Sequence, residues 1–455
     1  MRILANNLRA RFMDFVAKTP IVAVLLPIQG VSLFMWWVAG SYLGFDIFAS
    51  RSYWSSDDLC NPNTQGLGVH CWSDYYALAI ALESGNPYFM GDDVTLYPAA
   101  ALVPFMFFKW LTDLTGVAWL GLVAYLLFMT GMISYSVWVA TNRQSFEMRV
   151  LIFSTLVLLS PPVLTMLDRG NSVGLLIPAL IWLFASIRNH KSTQTVISLA
   201  LLSLIKPQYG ILALAFILAG RGKEGSRALG LGLTLNILPF LVFWPREFPN
   251  NLYIWATTFI NYQEYGSITG FWPQNISFSQ AIYMLFYSLH VATGGQLQPA
   301  LNVIESNQGL WGFLVLLLVI ALVFLLRKKL TITQVSIIVV SAISMTSAIS
   351  YYYYAVVAIP FLLILHQESK SILVSDKEFS TNDSQDLRDR RINIALWLAS
   401  VLTLVQLPIL IAQESVYTIT TAPFIGGVWI TCYLYIFYVL VRSSDKSKKL
   451  QEKKS

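Results

Sequence analysis

Residues 20–42 (PIVAVLLPIQGVSLFMWWVAGSY) contain no charged side chain, and crossing a bilayer takes about 20 apolar residues. A backbone inside hydrocarbon must satisfy its own polar groups, so such a segment is a helix or part of a closed barrel. Similar runs recur to the end of the chain. Hydrophobic residues make up 56% of the sequence and charged ones 12%, about half the charged share of a soluble domain. The sequence predicts an all-α polytopic membrane protein. The first run is too long for a cleavable signal and lacks a small-residue cleavage site after it.

The net charge of +6 reports topology here, with no footprint for nucleic acid. Lys and Arg gather in short segments between apolar runs. Placing those segments in the cytoplasm gives about 12 spans: 20–42, 116–140, 150–167, 172–187, 192–205, 208–221, 227–244, 308–326, 331–349, 351–366, 392–414 and 421–441. Both termini are then cytoplasmic. The arrangement is an N-terminal segment 1–19, a membrane module 20–366, a polar cytoplasmic loop 367–391, a helix pair 392–441 and a basic disordered tail 442–455. Two large outer segments, 43–115 and 245–307, interrupt the module. Residues 97–111 read as a helix lying along the outer interface. No internal repeat, phosphate-binding loop or dinucleotide fingerprint is present.

This topology leaves Arg51, Lys109, Arg169, Lys206 and Arg246 on the outer side, where orientation does not explain them. The runs 192–205 and 208–221 are about 21 Å long as helices, shorter than a hydrocarbon core of about 30 Å. Lys206-Pro207 therefore marks a hairpin tip held inside a cavity. Ionisable groups at membrane depth default to function, so Asp46, Asp74, Asp168, Arg169, Asn171 and Lys206 are the candidates, with tyrosines 351–354 beside them. Each has a plainer reading as well. Asp74 reads as a helix cap, Asp46 as a membrane exit, Arg169-Gly170-Asn171 as a tight turn, Lys206 as an interfacial lysine and the tyrosines as an aromatic belt. Carboxylates beside isolated cations suit one chemistry: a carboxylate takes a proton from an acceptor hydroxyl while the cations hold a departing lipid phosphate. No His, Cys or carboxylate grouping has metal-ligand spacing, so neither a metal nor another cofactor is expected. Cys60 and Cys71 share an outer segment and read equally as a disulfide or as two free thiols.

Asp74-Tyr75-Tyr76, Gly85-Asn86-Pro87-Tyr88, Tyr97-Pro98, Pro161-Pro162 with Arg169-Gly170-Asn171, Lys206-Pro207 and Gln274-Asn275-Ile276-Ser277 follow one another in an order that resembles the family 87 glycosyltransferases, of the GT-C class. The resemblance spans roughly residues 20–365. It implies a GT-C-like bundle with a large first extracytoplasmic loop, in the cell membrane, with an extracytoplasmic active site. It also implies an inverting transferase that moves a sugar, mannose first and arabinofuranose second, from a polyprenyl-phosphate donor to a glycolipid or lipoglycan. Asp74 would be the base with Asp46 as its rival, Lys206 and Arg169 would hold the donor phosphate, and Tyr75, Tyr76, Tyr88, Tyr97, Asn171, Gln274, Asn275 and Tyr352 would contact substrate. Three departures stand out: Ala99 replaces a proline after Tyr97-Pro98, the turn at 169–171 lacks a glutamine, and tyrosines 351–354 contain no histidine. A lipid-linked-sugar flippase is the competing class; it would show repeat symmetry. A membrane scaffold is the third.

Overall fold

The computed structural model describes residues 20–43, 72–83, 85–89, 95–265, 274–374, 383–412 and 417–452. Within these, helices dominate. In chain order they are α1 (Pro20–Leu43), α2 (Ser73–Glu83), α3 (Ala99–Thr115), α4 (Leu120–Ala140), α5 (Phe146–Phe153), α6 (Pro161–Arg169), α7 (Leu176–Arg188), α8 (Ser192–Ile205), α9 (Ile211–Leu218), α10 (Gly222–Phe243), α11 (Phe248–Tyr265), α12 (Phe278–Ala292), α13 (Gln298–Glu305), α14 (Gln308–Leu326), α15 (Ile332–Ser344), α16 (Ala358–Val374), α17 (Asp383–Thr403) and α18 (Ile425–Glu452). Five helices are long and apolar enough to cross a membrane. A sixth is counted if the bent pair 146–158 and Pro161–Arg169 forms one span; its halves meet at 53°. Pro161-Pro162 breaks the helix there, because prolines suit a first turn but not an interior.

Three segments differ from the sequence expectation. Residues 392–414 do not form one continuous helix. α17 stops at Thr403, and β1 (Pro408–Ala412) pairs antiparallel with β2 (Tyr417–Thr420). This hairpin ties to α1, since Ser32 Oγ and Trp36 Nε1 both donate to the Gln406 carbonyl. The helix expected flat on the outer interface, α3, instead runs antiparallel to α4. Thr112 Oγ1 accepts from the Gly121 amide at 3.0 Å, the Phe105 and Phe108 rings meet Tyr125, and Phe108 meets Phe128. A Cβ at Gly121 would fall 2.3 Å from the Phe108 carbonyl oxygen, so glycine permits this closeness. A helix that shares the direction of a spanning helix cannot lie flat on the surface. The third difference is length: α7 and α15 have 13 residues each and α9 has 8, too few to cross alone, while α8 covers Ser192–Ile205 with 14 residues, as short as expected.

Those short helices give the bundle two ends. At one end, Arg188 donates to Gln367 and Gln367 Nε2 donates to the Ala140 carbonyl at 2.9 Å, gathering the C-terminal ends of α4 and α7 against α16, with Arg188 and Arg143 beside them. Gln334 Nε2, in the first turn of α15, bonds Asn393 Oδ1 at 2.9 Å. The far end of α15 places Ser344 Oγ 2.7 Å from the Tyr209 hydroxyl, three residues beyond Lys206. The short helices thus reach only from the basic end to the level of the site: α8 and α15 run toward the site, and α7 and α9 run away from it. α15, α16 and α7 supply the centre of the core: Ile337, Ile338, Val339, Leu180 and Phe361 are all fully buried.

Candidate active site

Asp74 lies in the first turn of α2 and faces the segment joining α6 to α7. Two nitrogens of Arg169 clasp it: Nε donates to Oδ2 and Nη2 to Oδ1, both at 3.0 Å. Asn171 Nδ2 donates to Oδ2 at 2.7 Å. This fork is the strong geometry for a guanidinium and a carboxylate. The backbone supports it, because the Trp72 amide donates to the Asp168 carbonyl at 2.6 Å. Gly170 closes α6 in the left-handed conformation, φ +65°, and a Cβ there would fall 2.9 Å from Tyr75 Cβ. Glycine therefore serves twice, for the backbone angle and for the approach of α2. Asn171 Oδ1 accepts from the Val173 amide at 2.9 Å, so its side chain caps one helix while holding the carboxylate. The plainer readings of Asp74 as a simple cap and of 169–171 as a simple turn are thus insufficient: the two segments are partners.

Lys206 enters from the α8–α9 tip. Its Nζ lies 3.9 Å from the centroid of the Tyr97 ring and 5.8 Å from that of Tyr354, a cation–π arrangement. Lys206 makes no salt bridge among the described residues. Tyr97 in turn meets Asn171 Nδ2 through its hydroxyl at 3.3 Å. On the opposite wall Arg169 sits 5.0 Å from the Tyr351 ring and 5.6 Å from that of Tyr353. Asp74, Tyr97, Arg169, Lys206, Tyr351, Tyr353 and Tyr354 line one cavity of about 680 Å³, with Asn171 just behind it. Its remaining wall is mainly apolar, with Leu310, Phe313 and Leu316 from α14 and Ile343 from α15, and with Gln208, Thr346 and Ser347 as its polar members. Two cations and one carboxylate leave the polar end with an excess of one positive charge. Burial pushes the Asp74 carboxyl up, but the Arg169 charge and hydrogen bond, the Asn171 amide and the Lys206 charge outweigh it and hold the group below its ordinary value.

The other expected substrate contacts lie behind this wall. Tyr75 packs against Phe105 and Tyr125, and Tyr76 sits edge-on against Tyr75. The Tyr88 hydroxyl donates to the Tyr97 carbonyl at 3.0 Å, so Tyr88 positions Tyr97 instead of reaching the cavity. Asn275 Nδ2 bonds the Ala348 carbonyl at 2.8 Å, and its Oδ1 accepts from the Ser350 amide at 2.9 Å; it shapes the backbone leading into the tyrosines and bridges to Tyr351. Gln274 accepts from Gln406 Nε2 at 2.8 Å. Tyr352 is fully buried, and its neighbours Tyr351, Tyr353 and Tyr354 line the cavity. Residues 352–357 form a 3₁₀ turn, whose three-residue repeat puts 351 and 354 on one face; the run of four tyrosines carries no signal for that turn. Sequence reasoning also missed the pins on the loop before α3. Trp244 Nε1 donates to the Gly85 carbonyl at 2.7 Å and Trp255 Nε1 to the Leu96 carbonyl at 3.1 Å. Asp46, Cys60 and Cys71 lie outside the described residues.

Fold and site together define a helical membrane protein with a carboxylate and two cations facing one cavity that is polar at one end and mainly apolar at the other. Residues 95–350 match the family model for glycosyltransferase family 87. The match covers more than half of the chain, and the chain belongs to that family; it is a membrane glycosyltransferase. Tyr97, Arg169, Asn171 and Lys206 fall inside the matched segment, whereas Asp74 precedes it and the tyrosines 351–354 follow directly. No curated protein and no solved structure matches the chain.

Proposed function

We propose that the protein transfers a sugar from a polyprenyl-phosphate donor to a hydroxyl of a cell-envelope glycolipid or lipoglycan, with inversion, at the extracytoplasmic face of the cell membrane. The carrying observation is that Lys206 and the Asp74–Arg169 pair share one cavity whose other wall is mainly apolar. A phosphate with a polyprenyl tail complements both halves, neutralising the excess charge at Lys206 while its chain lies along α14 and α15. The outward orientation rests on the basic loops at the opposite end. Mannose is the sugar the family resemblance favours, with arabinofuranose next.

In the proposed reaction an acceptor oxygen attacks C1 of the sugar. The bond from C1 to the phosphate oxygen breaks, its electron pair leaves with the polyprenyl phosphate, and the acceptor proton passes to Asp74. Of the two carboxylate oxygens, Oδ2 already accepts two hydrogen bonds and Oδ1 one, so Oδ1 is the oxygen with room for the proton. Arg169 is committed to Asp74 through Nε and Nη2, so Lys206 carries the main phosphate role and Arg169 orients the base. The test is transfer by the purified protein from synthetic polyprenyl-phosphate mannose and arabinofuranose. Asp74→Asn should bind donor and lose about 10²–10⁴-fold in turnover. Near-normal turnover in that variant would remove Asp74 as the base.

A further inference from the structure

A second cavity system runs along the seam between α4 and α7, from Ser172 and Ile205 beside the catalytic turn to the basic end. Its long part is an apolar groove of about 660 Å³ walled by Met132, Tyr135, Pro178 and Trp182 among others. Its short part is a cavity of about 300 Å³ at the basic end of the bundle, whose polar lining is Arg143, Arg188, Asn142, Asn189 and Gln367. Val139, Ile181 and Ala185 line both, so groove and cavity meet there. No acidic side chain lines either one.

The two arginines are arranged differently from others nearby. Arg149 is spent within the protein: its guanidinium stacks 3.9 Å from the Trp138 ring centroid and donates to the Trp138 carbonyl at 3.0 Å. Arg143 has no hydrogen-bond or ion-pair partner among the described residues. Arg188 donates to the Gln367 side-chain oxygen, and Gln367 is itself anchored on the Ala140 carbonyl. That contact holds the Arg188 guanidinium at the mouth while leaving its charge uncompensated. Two cations and three amides at the end of an apolar groove between membrane helices form the arrangement that takes an anionic lipid headgroup.

We infer that the α4–α7 seam is a binding site for an anionic phospholipid of the leaflet at the basic end. The phosphate sits between Arg143 and Arg188, and an acyl chain rises past Val139 and Ala185 along Trp182. Charge complementarity selects this occupant: a zwitterionic lipid brings its own cation to a site that already holds two, and a free phosphate leaves the groove unfilled. The headgroup cavity at the basic end shares no residue with the catalytic cavity, and its test does not involve turnover.

The experiment uses the full-length protein in detergent micelles, titrated with phosphatidylglycerol, phosphatidylcholine or inorganic phosphate and read by native mass spectrometry. One phosphatidylglycerol per chain should persist where phosphatidylcholine and phosphate do not. Arg143→Gln with Arg188→Gln should weaken it about 25-fold, at about fivefold per arginine near a headgroup. Ala185→Trp, which fills the shared wall, should weaken it as well. The pair Lys223→Gln and Arg227→Gln, exposed residues on α10, removes equal charge elsewhere and should change nothing. Unfolding midpoints without lipid identify variants that fold; should the double variant fail, the exposed Arg143→Gln alone should show about fivefold. Equal loss in the α10 pair, equal retention of phosphatidylcholine, binding of phosphate alone, or no retained lipid would each overturn the site.

Discussion

Replacing Arg169 with Gln should be among the most damaging single changes in the protein, and replacing Asp74 as well should repair much of the damage. The Arg169 side chain is 4% exposed and that of Asp74 15%, so water screens little of their attraction. Arg169→Gln removes two charge-assisted hydrogen bonds and leaves a carboxylate that burial already disfavours. Breaking such a pair from one side costs about 3–5 kcal/mol. Asp74→Asn in the same chain removes the stranded charge and leaves two amides that can pair, so the double variant should recover more than half of that loss. The assay is a double-mutant cycle on unfolding in detergent. The pH dependence carries a sign. The Asp74 pKa is lowered in the folded protein, so its contribution is present above the unfolded value of about 4 and is lost as pH falls through the lower folded value. The double variant should lack that acid limb. If the effects of Arg169→Gln and Asp74→Asn simply add, the pair is not the buried, mutually dependent unit described here.

Lys206→Ala should weaken donor use by about 1–3 kcal/mol, the range for losing a charged hydrogen-bond partner, with Lys206→Arg rescuing it incompletely; both are read as the donor KM. Gly170→Ala should destabilise the protein by about 1–2 kcal/mol from its positive φ alone, with a further loss of turnover because the added Cβ pushes Tyr75, and with it Asp74, away from the turn; thermal unfolding and transfer rates check this. Asn171→Asp should replace a donor to Asp74 with a second negative charge and raise the pH at which Asp74 titrates, moving the acid limb of the pH–rate profile to higher pH.

Much of the site was legible because it is made of charges in an apolar chain. Arg169 and Lys206 stood out once orientation accounted for the other basic clusters, and Asp74 stood out beside them. Their pairing was not legible. Asp74 and Arg169 are separated by 95 positions, and only the path of the chain through α2 to α6 brings them together. The tyrosines show the same limit: the run itself was visible, but a 3₁₀ turn buries Tyr352 and turns Tyr351 and Tyr354 to the cavity. The misplacement of α3 has a different cause. Its composition, apolar with Lys109 and Asp113 on one turn, suits an interface. Its packing on α4 is decided by Gly121 and by rings on a neighbouring helix, which the pattern of α3 alone does not reveal.

The charge arrangement makes a final prediction about when Asp74 acts. In the free enzyme Lys206 is one of the groups holding the Asp74 carboxyl below its ordinary value, which makes it a weak base. A donor phosphate seated on Lys206 neutralises that charge, while the Arg169 and Asn171 contacts stay in place. The carboxylate should therefore become more basic when donor is present, gaining strength at the moment a proton must be taken. The profile of kcat/KM reports the free enzyme and that of kcat the complex. The acid limb of kcat should lie at higher pH than that of kcat/KM, and Lys206→Ala should move the two limbs together by raising the free-enzyme one. Coincident limbs in the native enzyme, or a separation unchanged in Lys206→Ala, would show that Lys206 does not set the basicity of Asp74 and would leave the phosphate contact as its entire role.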